Sequence, residues 1–452
     1  MRIWAAVSVL VVASAVQAAE DFELRPGEHI CLIGNTLAER MQYFGWLETR
    51  LVSRFPQHDL VFRNLGYSGD EITLRLRSRD FGTPDEWLAG NSPIPQPNKL
   101  NPDAPVRANR FELTNTKADV IFAFFGYNES FAGEVGLPRF QKDLRDWIRH
   151  TLAQKYNGRT SPRLVLFSPI AQEDLGDPNL PDGQTHNERL KRYAQAMAQV
   201  AKEEGVRFVD LFHPTLDLYA RIDRPLTING IHLNELGDEL VSALIEAALF
   251  PSQPPPERDP AHLERLRRAI NDKNFYWFHR YRTTDGYSTY GDRAFLRFTG
   301  GQTNYEVLQR ELEVLDVQTA NRDKAVWAVA RGGVYQPADD NLPPFIPVVT
   351  NKPGPLPDGR HLSMGGEEAI AKMTVHRGMK VSLFASEEQF PELVNPVQMA
   401  FDTRGRLWVA VWPTYPHWRP TDPMNDKLLI VEDTDGDGRA DRVKIFADDL
   451  HN

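Results

Sequence analysis

Two groups of residues in this chain have types and spacing that could do chemistry. The first is the run Asp433-Thr434-Asp435-Gly436-Asp437-Gly438-Arg439-Ala440-Asp441. Carboxylates of Asp433, Asp435, Asp437 and Asp441 at alternate positions, a backbone carbonyl at Arg439 and a glycine for the sharp turn suit the hard oxygen shell of Ca²⁺. The run departs from an EF-hand, because its twelfth position is Lys444 rather than Glu and strands flank it. A metal-free hairpin turn rich in Asp and Gly is the other reading. The second group is spread over four turns: Gly34-Asn35-Thr36-Leu37, Asn64-Leu65-Gly66-Tyr67-Ser68-Gly69, Gly126-Tyr127-Asn128-Glu129 and Asn229-Gly230-Ile231-His232-Leu233-Asn234. Together they hold hydroxyls, side-chain amides and a histidine, the kinds of group on which nucleophilic acyl transfer draws.

Such turns need a scaffold. Short apolar runs at Ile30–Ile33, Leu60–Phe62, Val120–Phe125, Leu164–Phe167 and Val206–Leu211 suit strands covered on both faces, as in a parallel sheet. Between them apolar residues step by three or four. Leu37, Met41, Phe44, Leu47, Leu51 and Phe55 put one stripe on a helix, and comparable patterns fill Phe140–Leu152, Leu190–Ala201 and Leu236–Leu249. The alternation predicts a doubly wound α/β layer with about five parallel strands. Ligands in open sheets of this kind bind beyond the carboxyl ends of the strands, where the four turns fall. One connection, residues 71–117, is long and rich in Pro and Asn (Ser92-Pro93-Ile94-Pro95-Gln96-Pro97-Asn98). It reads as a functional lid or a solvated excursion, with Trp87 either touching a ligand or pinning the loop.

The four turns, in this order, resemble those of SGNH/GDSL-type hydrolases over roughly residues 27–250. That family has Gly-Asp-Ser-Leu at the first turn, Asn-x-Gly-x-Ser-Gly at the second, Gly-x-Asn-Asp at the third and Asp-Gly-Ile-His-Leu-Asn at the fourth. The resemblance implies a flavodoxin-like three-layer α/β sandwich and ester hydrolysis. Carried over by position, Thr36 is the nucleophile, His232 its general base and Asn229 the residue that holds the imidazole. The backbone N–H groups of Thr36 and Gly66 and the amide of Asn128 form the oxyanion hole. Thr36 and Asn229 stand where the family has Ser and Asp. An internal threonine lacks the N-terminal amine that usually serves a threonine nucleophile, and an amide brings no charge to an imidazolium. Weak activity is therefore expected. The alternative nucleophile is Ser68, whose Gly66-Tyr67-Ser68-Gly69-Asp70 setting lacks the last glycine of a nucleophile elbow. A non-catalytic module that keeps the cleft to bind a carbohydrate or ester is the second reading. Glu129 reads as a solvated or loop-bonding acid, and His186 and His213 have no partner at zinc-ligand spacing.

The Pro-rich run Pro251–Pro256 closes this 19–250 domain. A helical extension (251–334) follows, with helices expected over 261–282, Tyr305–Val317 and Lys324–Ala330. Its aromatic stretch Phe275–Tyr281 reads as packing against the hydrolase domain or as a ligand wall. A linker (335–372) leads to short strands at Val381–Phe384, Val397–Phe401, Leu407–Val411, Leu428–Val431 and Val443–Phe446. The segment Asn395–Val411 resembles the opening of a β-propeller like those of exported planctomycete-type dehydrogenase-like proteins. Residues 373–452 supply one or two blades where a propeller typically needs at least about four, so an incomplete propeller start is expected.

The remaining bounds concern partners and place. With 452 residues, 41% hydrophobic and 25% charged, the composition is that of a globular protein. A net charge of -10 argues against nucleic acid or an anionic membrane surface as partner. Residues 1–18 read as a signal peptide, with Arg2, the apolar run Trp4–Val12 and the cleavage site Val16-Gln17-Ala18. The mature chain is thus expected to be periplasmic or extracellular, with no membrane span and with a small ester or acylated carbohydrate as its ligand. Cys31 is the single cysteine, which excludes internal disulfides and multi-cysteine zinc sites; its apolar setting makes it a core thiol.

Overall fold

The computed structural model describes residues 20–75, 77, 80–91, 116–283, 285–348, 353–415 and 417–450. Residues 1–18, read as a signal peptide, and the Pro- and Asn-rich run 92–98 lie outside the described residues. The described chain forms two compact units, one drawn from residues 20–91, 116–281 and 316–341, the other from 282–315 and 342–450. The 251–334 extension is therefore divided between them.

The first unit is built on five parallel strands: β1 (His29–Gly34), β2 (Val61–Asn64), β3 (Val120–Phe124), β4 (Arg163–Phe167) and β5 (Arg207–Val209). Their order is β2-β1-β3-β4-β5, the flavodoxin-like winding, in which chain direction across the sheet reverses between β1 and β3. Helices α1 (Thr36–Phe44), α2 (Trp46–Arg54), α3 (Pro84–Leu88), α4 (Gly133–Ala153), α5 (Gln184–Glu204), α6 (Phe212–Arg221), α7 (Glu235–Leu249) and α8 (Pro260–Arg282) connect and cover it. Alternate sheet residues Ile30, Leu32, Phe62, Phe122, Phe124, Val165 and Phe167 share one apolar core with Leu47 and Leu51 of α2, Val241 and Ile245 of α7, and Ile270 of α8. Helices α4 and α5 pack together, with Phe140, Leu144, Leu190 and Met197 buried. Cys31 lies wholly inside, and burial pushes its thiol up to about 12, as befits an inert core residue.

The single helix expected over Leu37–Phe55 is two. Gly45 takes a left-handed conformation (φ 71°), ends α1 by donating its N–H to Met41 O, and starts α2 in a new direction. A side chain at this position would meet the movable Asn271 Oδ1 at 2.3 Å, so the left-handed conformation is what favours glycine here.

The aromatic stretch of α8 packs against the edge of the sheet. β2 is an edge strand, and an uncovered edge leaves backbone carbonyls unpaired. Trp277 Nε1 donates to Asn64 O (2.7 Å) and the Tyr281 hydroxyl to Leu65 O (3.0 Å). A long helix, α10 (Asn304–Ala330, following the short α9 at Gly286–Thr289), replaces the two helices expected there. Its Trp327 Nε1 donates to Leu60 O (2.9 Å) and its Asp323 pairs with the buried Arg63 of β2 (3.0 Å). Trp87 is a pin. It is 2% exposed, donates to Phe81 O (2.8 Å) and stands edge-on to Tyr281.

In the second unit, the short α11 (Gly366–Ala371) lies within the expected linker. Strands β6 (Pro396–Phe401), β7 (Leu407–Val411), β8 (Asp426–Glu432) and β9 (Arg442–Leu450) form one antiparallel sheet in sequential order. Val381–Phe384 is not a strand. Leu407, Val409, Val411, Leu429 and Val431 make its core with Phe390 and Leu393. Where a propeller start is expected, the structure shows a single four-stranded antiparallel sheet. Among the described residues, no helix is long and apolar enough to cross a membrane.

Candidate active site

Three turns at the carboxyl ends of β1, β2 and β3 meet beside the loop that precedes α7. After β1, Asn35 caps α1: its side chain accepts from Leu37 N (3.1 Å) and its own N–H donates to Phe124 O (3.0 Å). Thr36 is thereby the first residue of the helix, half-buried, with an N–H that no helical carbonyl can take.

The second turn folds on itself. Asn64 donates to Ala38 O (2.6 Å) and accepts from Gly66 N (2.8 Å). Gly66 is buried, and a side chain there would meet Glu39 N at 2.4 Å. Its role is close packing on α1, and its N–H is already engaged. The expected oxyanion contribution of Gly66 is thus corrected. The residue of this turn that faces Asn128 is Gly69, whose only neighbour in the direction of a side chain is Asn128 Nδ2, at 3.9 Å from an added Cβ. The Asn128 amide has no hydrogen-bond partner among the described residues, which leaves it available as a donor. Ser68 is exposed, its N–H donates to the Glu39 carboxylate, and no hydrogen bond joins it to His232. Nothing in this arrangement activates Ser68 as a nucleophile.

The fourth turn is held by a residue absent from the sequence reading. Glu173 is buried and accepts from Leu226 N (3.0 Å), Thr227 N (2.8 Å) and Thr227 Oγ1 (2.6 Å), while its own N–H donates to Gly230 O (2.8 Å). Thr227 Oγ1 in turn accepts from Gly230 N (2.9 Å). This clamp fixes the turn that carries Asn229 and His232. Within it Asn229 Oδ1 accepts from His232 N (3.0 Å), with Ile231 N at 3.4 Å, and Asn229 Nδ2 lies 3.0 Å from His232 Nδ1.

That geometry reverses the expected bond. Asn229 was expected to accept from the imidazole. Its one acceptor atom is taken by the turn, so the amide N–H₂ faces the ring and Nδ1 must accept. The neutral imidazole then carries its proton on Nε2, the atom a general base needs unprotonated. Burial and Arg40 also hold His232 below the ordinary histidine value, against the opposing Glu39. Thr36 and His232 line one small pocket of about 30 Å³ with Asn35, Leu37, Tyr127 and Ile231. No hydrogen bond links Thr36 to His232 among the described residues, and Asn128, Gly66 and Ser68 do not line this pocket.

Glu129 bonds its own loop rather than standing in solvent. It accepts from Ile72 N (3.0 Å) and Gly126 N (2.9 Å), and burial pushes its carboxyl up to about 7. His213 is exposed beside Asp210 (2.6 Å). His186 sits between Ser130 Oγ (2.9 Å at Nε2) and Gln172 Oε1 (3.0 Å at Nδ1). This chain resembles a relay only in outline, because Ser130 is fully buried and its hydroxyl donates to Tyr127 O (2.5 Å).

In the loop between β8 and β9, carboxylate oxygens of Asp433, Asp435 and Asp441 lie within 4.8 Å of one another. Asp437 is not part of this group. Asp433 accepts from Gly436 N (2.7 Å) and Gly438 N (2.9 Å), and Asp441 from Thr434 N (2.9 Å). The loop therefore holds its shape through its own backbone bonds.

Comparison with known proteins places this site in context. Residues 34–240 match the GDSL-like lipase/acylhydrolase family, and residues 365–452 match a domain of unknown function, DUF7133. No curated protein matches the chain. Among solved structures, the chain is similar to a gut microbial diltiazem-metabolizing enzyme (17% identity, 50% of this chain and 48% of that one, TM-score 0.37). It spans about half the length of that protein. It is also similar to a catalytic mutant of the acetylxylan esterase Axe2 from Geobacillus stearothermophilus (13%, 52% and 99%, TM-score 0.36). A third is LAE5, an α/β hydrolase from the metagenome of Lake Arreo, Spain (19%, 50% and 96%, TM-score 0.34).

Proposed function

We propose that the GDSL-like domain at residues 34–240 is an ester-hydrolase scaffold whose base is held in the unproductive tautomer, so that turnover is slow. The match to the acylhydrolase family supports ester hydrolysis at that level. The observation that carries the finer reading is the orientation of Asn229, with Oδ1 on the turn and Nδ2 on His232. In this reading Thr36 attacks an ester carbonyl and His232 accepts its proton after the tautomer is exchanged. The Thr36 N–H and the Asn128 amide, with Gly69 beside it in place of Gly66, receive the oxyanion. The substrate class is a small ester, including an acyl group on a carbohydrate, met by an exported protein. Hydrolysis of p-nitrophenyl acetate by the full chain, beside His232→Ala, tests it. A slow rate abolished in the variant supports the reading, and equal rates overturn it.

The same orientation favours a second reading, a non-catalytic module that keeps the cleft for binding. Equal rates in that assay, with ligand binding retained, are its signature. In the second unit, the loop carrying Asp433, Asp435 and Asp441 is proposed as a structural calcium loop, and its sheet as the start of a propeller.

A further inference from the structure

A cavity of about 510 Å³ adjoins the pocket of Thr36 and His232, sharing Tyr127 and Ile231 with it. Its wall is aromatic. Phe131, 59% exposed, lies 4.5 Å from the His186 ring at 37°, and Tyr127 stands edge-on to both at 5.6 and 5.1 Å. The wall is backed by Ser130 Oγ, 2.9 Å from His186 Nε2, and Gln172 Oε1, 3.0 Å from Nδ1. A large apolar ring left exposed at a cavity, on a preorganised support, offers contact area at little entropic cost. The lining also holds polar groups. Arg189 lines the cavity and has no ion-pair or hydrogen-bond partner among the described residues. Asp182 lines it too; one of its oxygens caps Gln184 N (3.0 Å), and the other remains an acceptor.

From an apolar ring, one strong donor and one strong acceptor lining the same cavity, we infer that this cavity binds a pyranose ring. The C–H face of the sugar lies on Phe131, and a vicinal hydroxyl pair meets Arg189 and Asp182. A flat aromatic ligand would leave both charged groups without partners, and a lipid chain would bury them unpaired, which is unfavourable. As to what the ring carries into the neighbouring pocket, the inference rests on the ester reading; the binding itself needs no turnover.

The test uses the full chain against an array of xylo-, cello-, manno- and galacturonohexaose, followed by calorimetry on any that binds. The expected result is binding of at least one hexasaccharide, weakened tenfold or more by Phe131→Ala and by Arg189→Ala. Both residues are exposed, and Arg189→Ala keeps the test available should Phe131→Ala misfold. Binding by none of the four, or binding unchanged in a folded variant, overturns the inference. Binding with no His232-dependent hydrolysis sinks the ester reading and leaves this one standing.

Discussion

Replacing Asn229 by Asp should create a working base. The substitution changes one atom: Oδ1 keeps its bonds to the turn at 3.0 and 3.4 Å, and an acceptor replaces the donor that now lies 3.0 Å from His232 Nδ1. The proton of the neutral ring then moves to Nδ1, which frees Nε2. A carboxylate at 3.0 Å also stabilises the imidazolium formed when a hydroxyl gives up its proton. With an effective dielectric of about 20, that attraction is roughly 5 kcal/mol. His232 is half-buried, so solvent screening reduces it to about 2–3 kcal/mol, or about two pKa units upward.

Adding the tautomer exchange brings the expected gain in turnover to about 10³, or roughly 4 kcal/mol of barrier. That is within the loss of about 10⁴ seen when a serine protease triad carries Asn for Asp. The assay is steady-state hydrolysis of p-nitrophenyl acetate by the wild type, Asn229→Asp and Asn229→Asp with His232→Ala. ¹⁵N NMR of the imidazole reports the tautomer directly. A wild-type imidazole protonated on Nδ1, or a gain below tenfold in folded Asn229→Asp, would refute the reasoning.

Three other outcomes follow from buried polar groups and from the acidic loop. Glu173→Ala strands three donors of the buried turn, costing about 3 kcal/mol or more; a loss under about 1 kcal/mol in chemical denaturation counts against the clamp. Asp238 of α7 is wholly buried, Oδ2 has no hydrogen bond among the described residues, and burial raises its carboxyl to about 8. A folded value above the unfolded one gives stability that is full below about 4 and is lost as pH rises through about 8. Asp238→Asn should therefore be more stable than wild type above pH 8 by a few kcal/mol, and parallel pH–stability curves for the two proteins would exclude this. Titration of the full chain with Ca²⁺ should show one site with a Kd of about 10⁻⁴–10⁻³ M, lost in Asp433→Ala. No heat and no shift in Tm with Ca²⁺ or chelator would leave the loop a plain hairpin turn.

The parallel sheet was legible because its strands are buried on both faces and so read as unbroken apolar runs. Val120–Phe124 is buried at every position. Helix boundaries were less legible. The stripe from Leu37 to Phe55 continues through Gly45 without a change of period, and only the left-handed cap shows that the axis turns. Val381–Phe384 has strand-forming residues, but none pairs with a neighbour. At the site, residue types could be placed by motif, but their hydrogen bonds could not. Gly66 and Gly69 are equivalent as letters, and the difference lies in the Asn64 side chain that takes the N–H of Gly66. Glu173 lies 53 residues before the first turn atom it holds, and no local pattern announces such a clamp.

The two changed residues of the site are not independent, and a double-mutant cycle should show it. A carboxylate at position 229 has two acceptor oxygens, one for the turn and one for the imidazole. An amide has one acceptor, the turn takes it, and the ring receives a donor instead. With the base in that state, the identity of the hydroxyl at position 36 matters little, because no group is ready to take its proton. Thr36→Ser alone should therefore raise turnover by less than about twofold. In the Asn229→Asp background the same change removes a methyl that crowds a helix N-terminus, and the gain should exceed tenfold, an interaction of about 1 kcal/mol or more. Strict additivity would mean that Thr36 and His232 do not act as a unit. A large gain from Thr36→Ser alone would mean that the wild-type imidazole already serves readily as base, against the tautomer that the orientation of Asn229 favours.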